Sequence, residues 1–234
     1  DITGESFWIK DMIEKHHKEA SNKGVRIINA CGFDSAPSDL GVFYAVNQVV
    51  GDIKSVQCFQ AWKGEASGGT IETMFSSMDA KLSKGGLGKF SLNPKNSISE
   101  TQKKKTSDKI KVQKIPYLGG WTGPFVMALP NTRVVRRSAA LSKFTGKYYG
   151  DDFVYSEGAY YSKKGAARKV TFMTLALGLI IVSPLRKLLR GLFRKPGEGP
   201  SQKAMDSGFF KSRFLIETQD GFRAFSMSSS GDPG

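Results

Sequence analysis

At 234 residues, 39% of them hydrophobic and 24% charged, the chain is long enough to bury a real core and is too apolar to be disordered; its length fits one large domain or two small ones. The formal net charge of +14 raises nucleic acid as a partner, but the charge is local: residues 81–114 hold ten Lys against Glu100 and Asp108, residues 163–195 hold nine Lys and Arg with no acid, and the remainder is slightly acidic. Two cysteines, Cys31 and Cys58, exclude a disulfide framework, and neither has a His or a second Cys at ligand spacing, so no metal is expected and an intracellular, cytosol-facing location is the default.

The chain opens on Asp1-Ile2-Thr3-Gly4-Glu5, without Met or a signal-type segment, and reads as the interior of a longer protein. Thr3 is positioned to cap a helix whose apolar stripe is Trp8, Ile9, Met12 and Ile13, which Gly24 stops; the adjacent His16 and His17 fall near its solvated end. The β-branched run Val25-Arg26-Ile27-Ile28-Asn29-Ala30 predicts a largely buried strand, followed by a loop and a helix over 37–50. Strand character returns over 52–62, and Ser67-Gly68-Gly69-Thr70 leads into a helix over 71–78. Residues 83–108 are Gly, Ser, Asn and Lys with few large apolar side chains, which predicts a mobile basic insertion. Beyond it come a turn over 121–125, a helix over 131–142 and a strand over 153–161.

Residues 170–182 carry no charge but fall short of the roughly 20 residues a membrane-spanning helix needs, which leaves a buried core helix or an interfacial one. After Pro184, Leu185, Leu188, Leu189, Leu192 and Phe193 recur on one helical face while Arg186, Lys187, Arg190 and Arg194 take the other positions, the pattern of a basic amphipathic helix suited to a membrane surface. Pro196-Gly197-Glu198-Gly199-Pro200 ends it, and strands over 209–218 and 222–227 flank a turn at Asp220-Gly221. The alternation of helix and strand predicts an α/β fold, with an α+β substrate domain built on a mixed sheet.

Ligands in open α/β sheets bind where a loop leaves the carboxyl end of a strand, so the candidate site is Cys31, Gly32, Phe33, Asp34, Ser35, Pro37, Ser38 and Asp39. Asp34 or Ser35 has capping of the next helix as an alternative role, and Cys31 that of a small hydrophobe. Ser67, Gly68, Gly69 and Thr70 at a helix start offer backbone N–H groups to a substrate carbonyl or carboxylate, or form an ordinary cap. No Ser/His/Asp or Cys/His set is assembled, and the catalytic residues stay unassigned.

Four blocks, Asp1-Ile2-Thr3-Gly4-Glu5, the segment Ala30-Cys31-Gly32-Phe33-Asp34-Ser35 through Pro37-Ser38-Asp39, Ser67-Gly68-Gly69-Thr70, and Pro196-Gly197-Glu198-Gly199-Pro200-Ser201, resemble in order and spacing the saccharopine dehydrogenase-like oxidoreductases. That group includes trans-acting enoyl reductases of bacterial lipid assembly and eukaryotic lipid-droplet-associated relatives. The resemblance implies residues 1–45 as the end of a Rossmann-type domain, 46–185 as a substrate-side α/β domain, and 186–234 as the basic helix with returning strands. It implies NAD or NADP in the full-length protein and none bound by this chain, because no Gly-x-Gly-x-x-Gly follows a strand; Gly85-Gly86-Leu87-Gly88 sits in the lysine-rich segment. The expected partners are a small-molecule or lipid-linked substrate and a membrane or lipid-droplet surface. A scaffold that kept the fold and lost turnover is the alternative. Nucleic acid ranks last, since the lysines of 95–114 lack the interleaved aromatics on which bases stack.

Overall fold

The computed structural model describes residues 1–84, 88–108, 111–144, 149–183, 191 and 193–232. Its centre is one six-stranded sheet: β1 (Ile53–Lys63), β2 (Gln113–Lys114), β3 (Trp121–Gly123), β4 (Val154–Tyr161), β5 (Phe209–Thr218) and β6 (Gly221–Ser230), in the order β2-β3-β4-β1-β5-β6. Only β1 and β4 run parallel; the other neighbours are antiparallel, so the fold is α/β with a mixed sheet. Helices α1 (Ser6–Asn22), α2 (Ala36–Asn47), α3 (Gly68–Lys84), α4 (Glu100–Lys105), α5 (Ala128–Leu141), α6 (Lys164–Val182) and α7 (Gln202–Ser207) complete it.

The main core forms where alternate side chains of the central strands meet α2 and α5. Val56 and Cys58 of β1, Tyr155 of β4, and Phe214 and Ile216 of β5 pack against Val42, Ala45 and Val46 of α2 and Val135 and Ala139 of α5. Gly41 brings α2 close to β5: a Cβ there would stand 2.2 Å from the Phe214 ring. The opposite sheet face buries Phe59, Ile115 and Leu215.

Three expectations change. Residues 25–30 are not a strand: no sheet neighbour pairs with them, and Val25, Ile27 and Ile28 are 53%, 59% and 65% exposed. Among the described residues, the ladder-like contacts nearby come from the chain start, where the Asp1 amino group donates to the Ile28 carbonyl and Cys31 N donates to the Asp1 carbonyl. Residues 121–123, expected as a turn, form β3, because Trp121 and Thr122 pair with β2 on one side and β4 on the other.

The third change concerns the basic segment, much of which is ordered although its composition is poor in apolar residues. Leu92 is buried with Ile9 and Ala30, and the carbonyls of Lys89 and Leu92 accept from Arg136 and Arg137. Ser99 and Gln102 form a reciprocal capping box that starts α4, and Asp108 bonds to both Arg133 and Arg136 at 2.9 Å. A few strong anchors replace the missing hydrophobic area.

Residues 170–182 belong to α6, and the helix is not enclosed. Phe172, Met173, Leu175 and Leu179 lie 57–74%, or in the case of Leu175 55%, open to solvent on one side, with exposed Arg168 and Lys169 at its N-terminal end. Among the described residues no helix is long and apolar enough to cross a membrane. Of the expected amphipathic helix over 185–194, only Gly191, Phe193 and Arg194 are among the described residues.

Candidate functional site

The three central strands pass in step from core to cavity. On the face that α2 covers, each contributes core residues first (Val56 and Cys58, Tyr155, Phe214), then a polar side chain (Gln60, Glu157, Ser212), then a wall residue (Trp62, Ala159, Phe210). Period-two alternation puts these on one face; Gln60 and Ser212 stand level across β1 and β5, and Glu157 stands one step lower on β4, opposite Cys58. Above it opens a cavity of about 420 Å³, closed by α3 (Ile71, Met74, Phe75), the segment 124–127 and the inward side of α6 (Val170, Thr174, Leu177).

Glu157 is the centre of the polar tier and is 2% exposed. Its Oε1 accepts from Asn131 Nδ2 at 2.9 Å, Gln60 Nε2 at 3.1 Å and Ser38 Oγ at 3.2 Å, and its Oε2 accepts from the Tyr155 hydroxyl at 2.9 Å. Ser35 Oγ donates to Asn131 Oδ1 at 3.0 Å and Ser212 Oγ to Gln60 Oε1 at 2.6 Å, so both amides are held with their nitrogens toward the carboxyl. Burial raises the Glu157 carboxyl above the usual range, against the pull of these donors, and raises the Tyr155 phenol well above its own. Asn131, Gln60, Ser38 and Ser212 line the cavity, so the network is its floor.

Of the candidate loop, Phe33, Asp34, Pro37 and Ser38 line the cavity. Burial raises the Asp34 carboxyl. Ser35 lies beneath, buried, on Asn131. Asp39 turns to α5, accepting from Ser138 Oγ at 2.9 Å, with its carboxyl also raised by burial. Cys31 is exposed, and Gly32 packs near Ile2, neither lining the cavity.

At the start of α3, Thr70 reaches the cavity, and Ser67 Oγ accepts from Thr70 N at 3.3 Å as a cap. Gly68 N donates to the Glu198 carbonyl, and a Cβ on Gly68 would fall 1.7 Å from the Lys195 carbonyl oxygen, so the Ser67 and Pro196 blocks are docked on each other. Glu65 joins them, accepting from Ser201 N at 3.1 Å and from Arg194; those bonds hold its carboxyl below the usual range. Phe193 faces the cavity edge-on to Phe75 and Arg194 is engaged by Glu65, whereas Leu185, Arg186, Lys187, Leu188, Leu189, Arg190 and Leu192 lie outside the described residues.

Glu157, Gln60, Asn131, Tyr155 and Ser212 escape the sequence reading. One signal was present: Glu157 stands two residues from Tyr155 and from Ala159, so alternation puts a carboxyl on the buried face of its strand. Among the described residues no group of three His, Cys, Asp or Glu could hold a metal.

The phosphates of a dinucleotide do not fit the starts of α3 and α2, which border the cavity. At α3 two of the N–H groups are taken, a neighbouring backbone fills the space at Gly68, and Glu65 and Asp232 stand beside it. At α2 the N–H groups of Ser35 and Ala36 donate to the Gly32 carbonyl, and Asp34 and Asp39 flank the turn.

No family model matches the chain, and no solved structure does. It is 33% identical over 263 aligned residues, covering all of this chain, to a Mycobacterium tuberculosis protein named as a trans-acting enoyl reductase. It is 32% identical to the trans-acting enoyl reductases of Mycobacterium bovis and Mycobacterium ulcerans, over 95% of this chain in each. The chain spans 58–60% of the length of these relatives. It is thus, along its whole length, a homologue of proteins named for reductase activity.

Proposed function

We propose that this chain is the substrate-side part of a saccharopine dehydrogenase-like enoyl reductase, which reduces a carbon–carbon double bond of a lipid-linked acyl group at a membrane or lipid-droplet surface. The observation that carries the reading is the make-up of the cavity. Its walls are apolar, its floor is a hydrogen-bonded polar tier, and among the described residues its charged lining is Asp34, Glu65 and Asp232 alone. With only carboxylates there, a free acid or phosphate is repelled, and an uncharged acyl chain with a polar reacting end fits.

Hydride comes in this reading from NADH or NADPH, whose phosphates are held by a part of the full-length protein outside this chain. Val25, Ile27 and Ile28, exposed and outside the sheet among the described residues, support residues 1–45 as an edge of such a part, since a β-branched run reads as a strand in search of a sheet. Asp34 lines the cavity beside Phe33 and Pro37 and orients the reacting end.

The surface reading rests on α6. One side of this helix walls the cavity, and the other presents Phe172, Leu175 and Leu179 in register with Arg168, an apolar stripe with a basic end suited to anionic headgroups.

The test uses the full-length protein with a long-chain enoyl thioester and NADPH. Consumption of both is expected, and Asp34→Ala lowers turnover at least about tenfold while moving thermal stability little. Flotation with anionic liposomes is expected for the wild type and lost in a Phe172→Glu/Leu179→Glu variant that stays folded, because both side chains are solvent-facing. Absence of enoyl reduction overturns the reductase reading; flotation that the glutamates leave intact overturns the role of α6.

A further inference from the structure

We infer that Ser38 and Glu157 form a proton-delivery pair beneath the cavity, Ser38 meeting the substrate and Glu157 serving as the buried store behind it. The reaction assigned to the pair rests on the reductase reading; the store itself rests on geometry alone.

Three side chains separate Glu157 from the cavity: Ser38, Gln60 and Asn131. Two are amides, which do not exchange protons at neutral pH in the way a hydroxyl does. Only Ser38 can release one proton and take another. Ser38 Oγ accepts from Gln60 Nε2 at 3.2 Å and from Asn131 Nδ2 at 3.4 Å, so two N–H donors hold the oxygen as its proton leaves.

A structural role does not explain the carboxyl. All four of its partners are neutral, and the arginines of α5 are committed elsewhere, Arg133 to Asp108 and Arg136 to Asp108 and the Tyr155 carbonyl. A glutamine would fill the same space at lower desolvation cost. The titratable groups beside Glu157 are Cys58 on β1 and Tyr155 on β4; Asp34 lines the cavity from the loop before α2, and the neighbouring β3 residues Thr122 and Gly123 do not titrate.

With Glu157 protonated the Ser38 contact reverses, the Glu157 O–H donating to Ser38 Oγ while the Ser38 O–H turns to the cavity. The hydride and its electron pair would come to the β-carbon from a reduced nicotinamide held outside this chain, as the C=C π bond breaks. The Ser38 O–H breaks as a C–H forms at the α-carbon; the Glu157 O–H then breaks as the Ser38 O–H re-forms, and Glu157 regains a proton from water after product leaves.

The test uses full-length protein. Glu157→Gln is expected to fold normally and to lower kcat about 100-fold with little change in KM, removing one limb of the pH–rate profile. Ser38→Ala is expected to match that loss, with Ser38→Thr restoring part of it. Difference infrared spectroscopy at neutral pH is expected to show the carbonyl band of a protonated carboxylic acid in the wild type and in Asp34→Asn, and none in Glu157→Gln. A wild-type kcat in Glu157→Gln or in Ser38→Ala, or no such band in the wild type, overturns the proposal. If the wild type reduces no enoyl substrate, the reductase reading fails separately, and the infrared comparison still decides whether Glu157 stores a proton; if Glu157→Gln does not fold, Ser38→Ala and its infrared spectrum carry the test.

Discussion

Removing the Asp108 carboxyl would strand two guanidinium groups whose side chains are 3% and 2% exposed, those of Arg133 and Arg136. Burial pulls the Asp108 carboxyl up, but Arg136 and Arg133 outweigh it and hold it below the usual range. Its contribution to stability is therefore present above the unfolded-state value, about pH 4, and is lost as pH falls through the lower folded value. Asp108→Ala is expected to cost about 3–5 kcal/mol at neutral pH and to flatten the acid limb of the stability curve, as read by denaturant unfolding between neutral and acid pH. A loss under about 1 kcal/mol, in the range of exposed pairs, would falsify the view that this carboxylate anchors the basic segment. At this scale the loop singled out from the sequence does reach the cavity, at Asp34 and Ser38, although the segment before it is not a strand. It did not disclose the role of Asp108, because the two arginines it neutralises lie on a helix that only the fold brings to it.

Elements depend on what lies against them, and α3 shows it. Its first residue, Gly68, is in contact with the backbone of residues 195–196, leaving no room for a Cβ against the Lys195 carbonyl. Gly68→Ala must displace backbone rather than a flexible side chain, so a cost of about 1–3 kcal/mol is expected, together with faster proteolysis at residues 195–201. Unchanged stability would mean that the two blocks are not docked in solution. Strands β1, β4, β5 and β6 and helices α1, α2 and α5 were legible from periodicity within a few residues at their ends, since each buries one face on the sheet or its neighbours. The two-residue β2 and three-residue β3 were not, being too short to carry a period; β3 forms by pairing with β4, and β2 by pairing with β3. Segment 83–108 misled for a different reason: composition measures apolar area, whereas capping, an ion pair and two arginine-to-carbonyl bonds hold this stretch.

At the scale of the molecule, our proposal puts the acyl-sized cavity on this chain and the cofactor's phosphates on another part of the protein, and the consequence is measurable. The starts of α2 and α3, which face the cavity, offer spent N–H groups beside carboxylates, the reverse of what a pyrophosphate requires. Titration calorimetry of this 234-residue chain with NADPH is therefore expected to give no measurable binding, with Kd weaker than about 1 mM, while the full-length protein binds at least about 100-fold more tightly. The same chain should still take up a long-chain fatty alcohol or acyl ester, detected by quenching of Trp62, which stands in the cavity wall. Uptake without nucleotide binding fits a substrate half whose partner half completes the reaction. Micromolar binding of NADPH by this chain would place the phosphates on it after all and overturn the division, whereas loss of both activities would mean that the cavity forms only when the rest of the protein covers the exposed run at Val25, Ile27 and Ile28.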